Sequence, residues 1–282
     1  MTNLECHSRL VIFLINQKWC IGRETMDRKN ALVIYTAGTF GQIFIICFAG
    51  FLLRGIGVKV DYTTALGMLA IVAGGISSAL WGAVVTIKYR KSTIKEIFID
   101  FFNVKQEWSA YLLVAMFLFL DFCYVLFGGK LEISSWYLPV VLFIKAIAFG
   151  GIEEIGWRYT FQPILEERLN YIASTLITFV LWGIWHFMYF YIEGSFDQVQ
   201  AVDFLLGLLT SCFLLSALYN KTKSLWICVM THALINVLSQ ISFGGNDGVV
   251  LVCRGIIIVI AIVISAKAKQ HEEITVQKEA KN

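Results

Sequence analysis

Charge is what this chain has least of. Only 15% of its 282 residues are Asp, Glu, Lys or Arg, against about 25% in a soluble domain. Hydrophobic residues make up 58%, and the mean hydropathy is +0.71. That excess is too large for one buried core, so an ordinary soluble domain is excluded and a polytopic membrane protein is expected. The net charge is only +3, which offers no attraction for nucleic acid. The seven cysteines show no CxxC spacing. They read as small, reduced apolar residues rather than as disulfides or a metal cluster. There is no low-complexity linker and no internal repeat, and the absence of an inverted repeat argues against a secondary transporter. Near the N-terminus, the apolar run Leu10–Ile15 is interrupted by Asn16, Gln17 and Lys18. It is too short to span a bilayer and lacks a small-residue cleavage site, so it reads as an interfacial segment and not a signal peptide.

What the chain has in abundance is apolar runs of about 20 residues, the length that crosses a hydrocarbon core. Eight such runs are read at 31–53, 64–87, 109–127, 136–157, 171–192, 200–219, 224–242 and 248–266. The expected architecture is all-α: a cytoplasmic or interfacial segment 1–30, a membrane domain 31–266 of about eight helices, and a polar, disordered tail 267–282. Lys and Arg test the topology. Residues 1–30, 88–108, 158–170, 220–224 and 267–282 together hold 18 of the 23, whereas the alternate loops hold only Arg54, Lys59 and Lys130. By the positive-inside rule both termini are cytoplasmic. Residues 88–108 mix bases with Ile94, Ile97, Phe98, Phe101 and Phe102, as an amphipathic helix on anionic lipid does. Trp108, Trp136 and Trp226 read as aromatic-belt anchors.

Against this apolar background a few polar groups stand out, because a charge at bilayer depth costs several kcal/mol unless it faces a partner in the protein interior. The segment Gly150-Gly151-Ile152-Glu153-Glu154-Ile155-Gly156-Trp157-Arg158 carries the pattern EExxxR. On a helix Glu154 and Arg158 are i and i+4 and form an ion pair, while Glu153 points about 100° away, toward a cavity. The next apolar run holds Trp182 and His186 one turn apart, and a later one holds His232 and Asn236 on one face. A glutamate with an imidazole can hold and deprotonate water, and a second imidazole with an amide can donate to an oxyanion. This set suits hydrolysis of an amide inside the membrane. Two His and a Glu are also a zinc ligand set, but HExxH is absent, and an asparagine beside His232 fits an oxyanion donor better. No cofactor is expected. Asp121, Lys145 and Arg254 also fall within spans and are read as snorkelling or paired rather than as part of the site.

EExxxR, a histidine in an aromatic-rich span and HxxxN, in that order over about residues 136–240, resemble the CPBP family of CAAX prenyl proteases and bacteriocin-processing or bacteriocin-immunity (Abi) proteins. The resemblance implies an eight-helix intramembrane glutamic endopeptidase with its cavity open to the cytosol. It implies that Glu153 activates water with His186, that His232 and Asn236 stabilise the oxyanion, and that Glu154, Arg158 and Trp182 support the site or position substrate. The family's second motif is usually FxxxH, and here tryptophan stands at 182, which bears on cavity width. The implied substrate is a hydrophobic or lipidated peptide, with the bilayer and a membrane-protein partner as further contacts. A compact chain without an appended domain points to a bacterial plasma membrane. The alternative is a non-catalytic immunity or regulatory scaffold protein of the same fold.

Overall fold

A computed structural model describes the backbone of residues 3–279 and side-chain surroundings from Lys29 to His271; the interfacial reading of Leu10–Ile15 lies outside those described side chains. Among the described residues ten α-helices and one short strand pair organise the chain. They are α1 (Asn3–Gly55), α2 (Ala65–Gly75), α3 (Ser77–Arg90), α4 (Ile94–Phe101), α5 (Trp108–Phe122), α6 (Leu138–Phe149), α7 (Tyr171–Glu193), α8 (Ala201–Thr222), α9 (Leu225–Ile241) and α10 (Asp247–Glu279). Between α6 and α7 lies a series of single turns, described below. Strands β1 (Gly129–Leu131) and β2 (Ser242–Gly244) pair antiparallel, with Lys130 opposite Phe243.

Among the described residues six helical segments are long and apolar enough to cross a membrane: Lys29–Gly55, Ala65–Arg90, Trp108–Leu126, Tyr171–Glu193, Ala201–Thr222 and Asp247–His271. The count of eight expected from hydropathy is therefore not reached by length. The two remaining runs are shorter. α9 has 17 residues, and the run read as 136–157 holds a helix of only 12 residues before its geometry changes. α9 is largely enclosed by its neighbours, whereas α6 buries only Ala146, which meets Ala233, Val237 and Ile241 of α9. Like the spanning segments with Ile45, Leu69 and Val259, α6 leaves large apolar side chains exposed, among them Val140, Val141 and Ile144.

Local chemistry sets the helix ends. Thr64, Asn170 and Ser224 accept hydrogen bonds from the first-turn amides of α2, α7 and α9, supplying partners for otherwise orphaned donors. Thr93 and Glu96 form a reciprocal capping box at the start of α4, so the amphipathic helix expected within 88–108 is present over Ile94–Phe101. Trp108 and Trp136 are exposed as belt anchors would be, but Trp226 packs inward beside Phe101, Leu225 and Val229. An aromatic near a span end serves either role, and here the neighbouring α4 covers it. The polar stretch from 267 extends α10 as helix to Glu279 rather than forming the disordered tail expected.

The helix ends gather into two faces. On the first, the β1–β2 pair joins the end of α5 to the start of α10, and Tyr62 N–H donates to the Glu193 carbonyl at the end of α7. On the second, Arg90 donates to the Tyr159 carbonyl, Tyr159 Oη to Asp100 and Trp226 Nε1 to Tyr111 Oη. The hairpin face carries Arg54, Lys59 and Lys130, whereas the opposite, basic face collects Lys88, Arg90, Lys91, Lys95, Lys105, Arg168, Lys221, Lys223, Lys267 and Lys269.

Candidate functional site

The chain changes helical geometry where its glutamates lie. After Phe149, residues Gly151–Glu153 form a 3₁₀ turn, Glu154–Gly156 a single α turn, Trp157–Phe161 a π turn and Gln162–Glu166 a last α turn. The sequence accounts for it. Pro163 has no N–H for the Tyr159 carbonyl and its ring crowds that position; the carbonyl instead accepts from Arg90 Nη1 at 2.6 Å. Thr160 Oγ1 returns to the Ile155 carbonyl at 2.7 Å. Glycines allow the segment to sink into the core. A Cβ on Gly82 would stand 2.7 Å from Gly156 Cα, and one on Gly156 would run into the Ser78 carbonyl, a small-residue crossing of the kind that brings membrane helices into close contact. Irregular backbone of this kind is tolerated at membrane depth when it is buried in protein or lines a cavity.

This placement buries the whole motif: Glu154 and Arg158 are 0% exposed and Glu153 is 5% exposed. A solvated, interfacial position for the glutamates is thereby ruled out. Glu154 and Arg158 face each other as the i, i+4 spacing requires, with Nη1 3.5 Å from Oε1. The same Oε1 meets His232 Nδ1 of α9 at 2.7 Å, a long-range pairing that sequence spacing does not reveal. A carboxylate oxygen only accepts, so Nδ1 carries the proton and Nε2 is turned away from Glu154. Glu154 Oε2 and Arg158 Nε are buried without hydrogen-bond partners. The rest of the guanidinium is held by its surroundings: Nη2 lies 3.4 Å from Cys212 Sγ, and the group stacks 4.1 Å from the Trp182 ring centroid.

Trp182, buried on α7, is the hub. Its Nε1 donates to Glu153 Oε2 at 2.7 Å. Its ring lies between two imidazoles, 5.1 Å from His186 and 5.4 Å from His232. A phenylalanine at this position would keep the aromatic face but lose the donor. His186 Nδ1 donates to the Trp182 carbonyl at 2.9 Å, which leaves its Nε2 as the acceptor of the neutral ring. His186 thus meets Glu153 through Trp182 rather than by a direct hydrogen bond. On α9, one turn beyond His232, Asn236 reaches the Gly150 backbone. A Cβ on Gly150 would collide with Asn236 Nδ2 and stand 3.1 Å from His232 Nε2, so glycine at 150 is what lets these two groups share one spot.

A cavity of about 290 Å³ opens from this spot, walled in its depth by Trp182, His186, His232 and Asn236. Glu153 sits behind Trp182 and is not part of the wall. Toward the mouth the lining becomes polar, with Asp121 from the end of α5, Tyr124 from the 3₁₀ turn Cys123–Leu126 that follows it, Asp203 and Ser211 from α8, Ser239 from α9 and Arg254 from α10. Arg254 Nε is buried without a hydrogen-bond partner. Asp121 and Arg254, set aside as paired or snorkelling on sequence grounds, therefore belong to the cavity. Their presence inside apolar runs was the available signal, but which wall they join depends on helix packing. Among the described residues no three His, Cys, Asp or Glu side chains are grouped to hold a metal ion.

Toward the basic face the bundle is filled. Phe101, Leu225 and Val229 pack with Ile152, Ile155 and Tyr159. Beside them Gln162 bridges Thr175, Glu166 and Ser216, and Glu166 accepts from Asn220.

Two comparisons bear on this arrangement. Residues 133–238, which carry every motif above, match the family model described as "Type II CAAX prenyl endopeptidase Rce1-like". The chain is also similar to "CAAX prenyl protease 2" of Methanococcus maripaludis, at 23% identity over 265 residues, covering 85% of this chain and 95% of the relative.

Proposed function

Since the chain belongs to the CPBP family of CAAX-type membrane proteases and is a hydrolase of that kind, we propose that it cleaves a membrane-associated or lipidated peptide with a water activated at Glu153. The observation that carries the proposal is the convergence of Trp182, His186, His232 and Asn236 on one cavity, with Glu153 hydrogen-bonded to the Trp182 indole at its wall. With Oε2 held by Trp182, Oε1 remains to accept a proton from water. His186 Nε2 supplies a second acceptor, which orients the water toward a scissile carbonyl. Asn236 Nδ2 and His232 Nε2 lie side by side at Gly150, where an oxyanion would find two donors once Nε2 carries a proton. Glu154 compensates the charge of that imidazolium through Nδ1, much as a carboxylate does for the histidine of a hydrolase triad. Every step uses the chain's own side chains.

Two variants test these roles. Asn236→Ala is expected to lower kcat by about 10²–10³, the cost of one oxyanion donor, with KM little changed, while the protein elutes and melts as the parent does. Turnover equal to the parent would remove Asn236 from the reaction. Trp182→Phe keeps the aromatic wall but deletes a hydrogen bond to a charged group worth about 1.5–3 kcal/mol. Its kcat should fall by roughly one to two orders of magnitude. Both are read on a fluorogenic peptide in detergent or nanodiscs, with and without a chelator; activity that disappears on chelation and returns with zinc would replace the direct-water route by a metal-assisted one.

The termini are assigned to the cytoplasm on the Lys and Arg distribution, and a bacterial plasma membrane is the proposed setting. A non-catalytic scaffold has less support, because nothing about binding alone calls for a buried Glu–His–Arg network beneath a cavity.

A further inference from the structure

Two thiols face each other at the mouth of the cavity. All five described cysteines are free, and three of them meet other groups: Cys47 the Met188 carbonyl, Cys212 the Arg158 guanidinium and Cys228 the Leu215 carbonyl. Cys123 and Cys253 meet each other. Cys123 opens the 3₁₀ turn that follows α5, Cys253 lies in the second turn of α10, and their Sγ atoms are 3.1 Å apart although 130 positions separate them in sequence. Cys123 Sγ also lies 3.3 Å from the Leu120 carbonyl, to which its S–H donates, so Cys253 supplies the hydrogen between the two sulfurs. A disulfide bond is about 2.05 Å long, so closing it takes about 1 Å of travel, which side-chain rotation at a helix end provides. The sequence neighbours of the pair are cavity wall: Asp121, Phe122 and Tyr124 on one side and Arg254 on the other.

We propose that Cys123 and Cys253 form a reversible disulfide that locks the α5–α10 edge of the mouth, with a small disulfide as the oxidant. The half-buried Cys253 meets the oxidant first. Its thiolate attacks one sulfur of the small disulfide and expels a thiolate; Cys123 then attacks Cys253 Sγ in the mixed disulfide and expels the second. The two cysteine protons pass to the two departing thiolates, so the protein gains one S–S bond as the oxidant loses one. What the bond changes is the hold on the mouth. In the thiol form the end of α5 and the start of α10 are clasped by β1 and β2, three residues each, and a two-stranded pair alone is marginally stable. The cavity of about 290 Å³ is at the lower limit of ligand pockets, which run from roughly 300 to 1,000 Å³, so a peptide has to part these walls to enter. The clasp yields to it; a covalent link just inside the clasp does not. The inference rests on the protease reading only for what enters the cavity.

The test treats the full chain in nanodiscs with 2-hydroxyethyl disulfide and reverses the treatment with dithiothreitol. Mass spectrometry of an unreduced digest should recover the Cys123 peptide joined to the Cys253 peptide. On the fluorogenic peptide, a cross-link that cuts the open fraction to about a tenth raises KM about tenfold, with kcat little changed, and dithiothreitol restores the parent value. Cys253→Ser and Cys123→Ser should each cleave as the reduced parent does and ignore the oxidant. Cys253→Ser, at the half-buried position, keeps the test decisive if Cys123→Ser does not fold. The inference is overturned if no Cys123–Cys253 peptide forms, if it forms and KM does not move, or if the oxidant slows the serine variants as much as the parent. Cleavage is followed separately with Glu153→Gln. A Glu153→Gln protein that cleaves normally defeats the protease mechanism without touching the cross-link, and a missing cross-link defeats the lock without touching the mechanism.

Discussion

Glu153→Gln is expected to reduce peptide cleavage by about 10²–10⁴-fold, the range a positioned general base contributes. The substitution is nearly isosteric. A glutamine oxygen can still accept from Trp182 Nε1, so the hydrogen bond seen at 2.7 Å and the packing around it persist while the basic group is gone. The melting temperature should stay within a degree or two of the parent, and substrate should still bind. Cleavage is measured by mass spectrometry of a membrane peptide incubated with the purified variant. Retained turnover would sink Glu153 as the base and leave His186, whose Nε2 faces no partner at the cavity wall, to fill the role. Loss of both cleavage and folding would instead mark Glu153 as structural.

Arg158→Met should produce the largest loss of stability. Glu154 is completely buried, and its neutralisation rests on Arg158 at 3.5 Å and His232 at 2.7 Å, both on Oε1. Deleting one partner of a buried ion pair typically costs about 3–5 kcal/mol, because the remaining charge is left uncompensated. The guanidinium also loses its place over Trp182, so the indole that holds Glu153 loosens and activity falls with stability. The double variant Glu154→Gln/Arg158→Met removes both charges and should recover most of the lost stability but none of the activity. Thermal unfolding of the four proteins of this cycle in one detergent checks it. A single Arg158→Met that melts like the parent would show that His232 alone compensates Glu154.

Much of this was legible in the residues themselves, and the exceptions have physical causes. EExxxR, WxxxH and HxxxN stood out because polar side chains in apolar runs are costly, and all seven residues they contribute meet at one place. The i, i+4 pair of Glu154 and Arg158 is local and could be read directly. The bond between Glu154 and His232 joins positions 78 apart in sequence, and no periodicity encodes it. The run 136–157 was read as one span because Gly150 and Gly151 are compatible with a membrane helix, and hydropathy does not register the change to a 3₁₀ turn at Gly151. Hydropathy likewise shows where a segment is apolar, not whether it faces lipid or protein, which is why α9 passed for an ordinary span although it is nearly enclosed. The side on which the cavity opens required knowing which turns of α5, α8, α9 and α10 stand together, and that is a property of the packed bundle.

The packed floor beneath the glutamates also protects the cell's energy supply. A chamber that brings water and an exchangeable carboxylate to mid-bilayer would, if it ran through, short-circuit the ion gradient that the membrane maintains. Phe101, Tyr159 and Trp226, with the Tyr159–Asp100 bond beneath them, make the chamber a dead end, so hydrolysis can proceed at that depth without turning the protein into a leak.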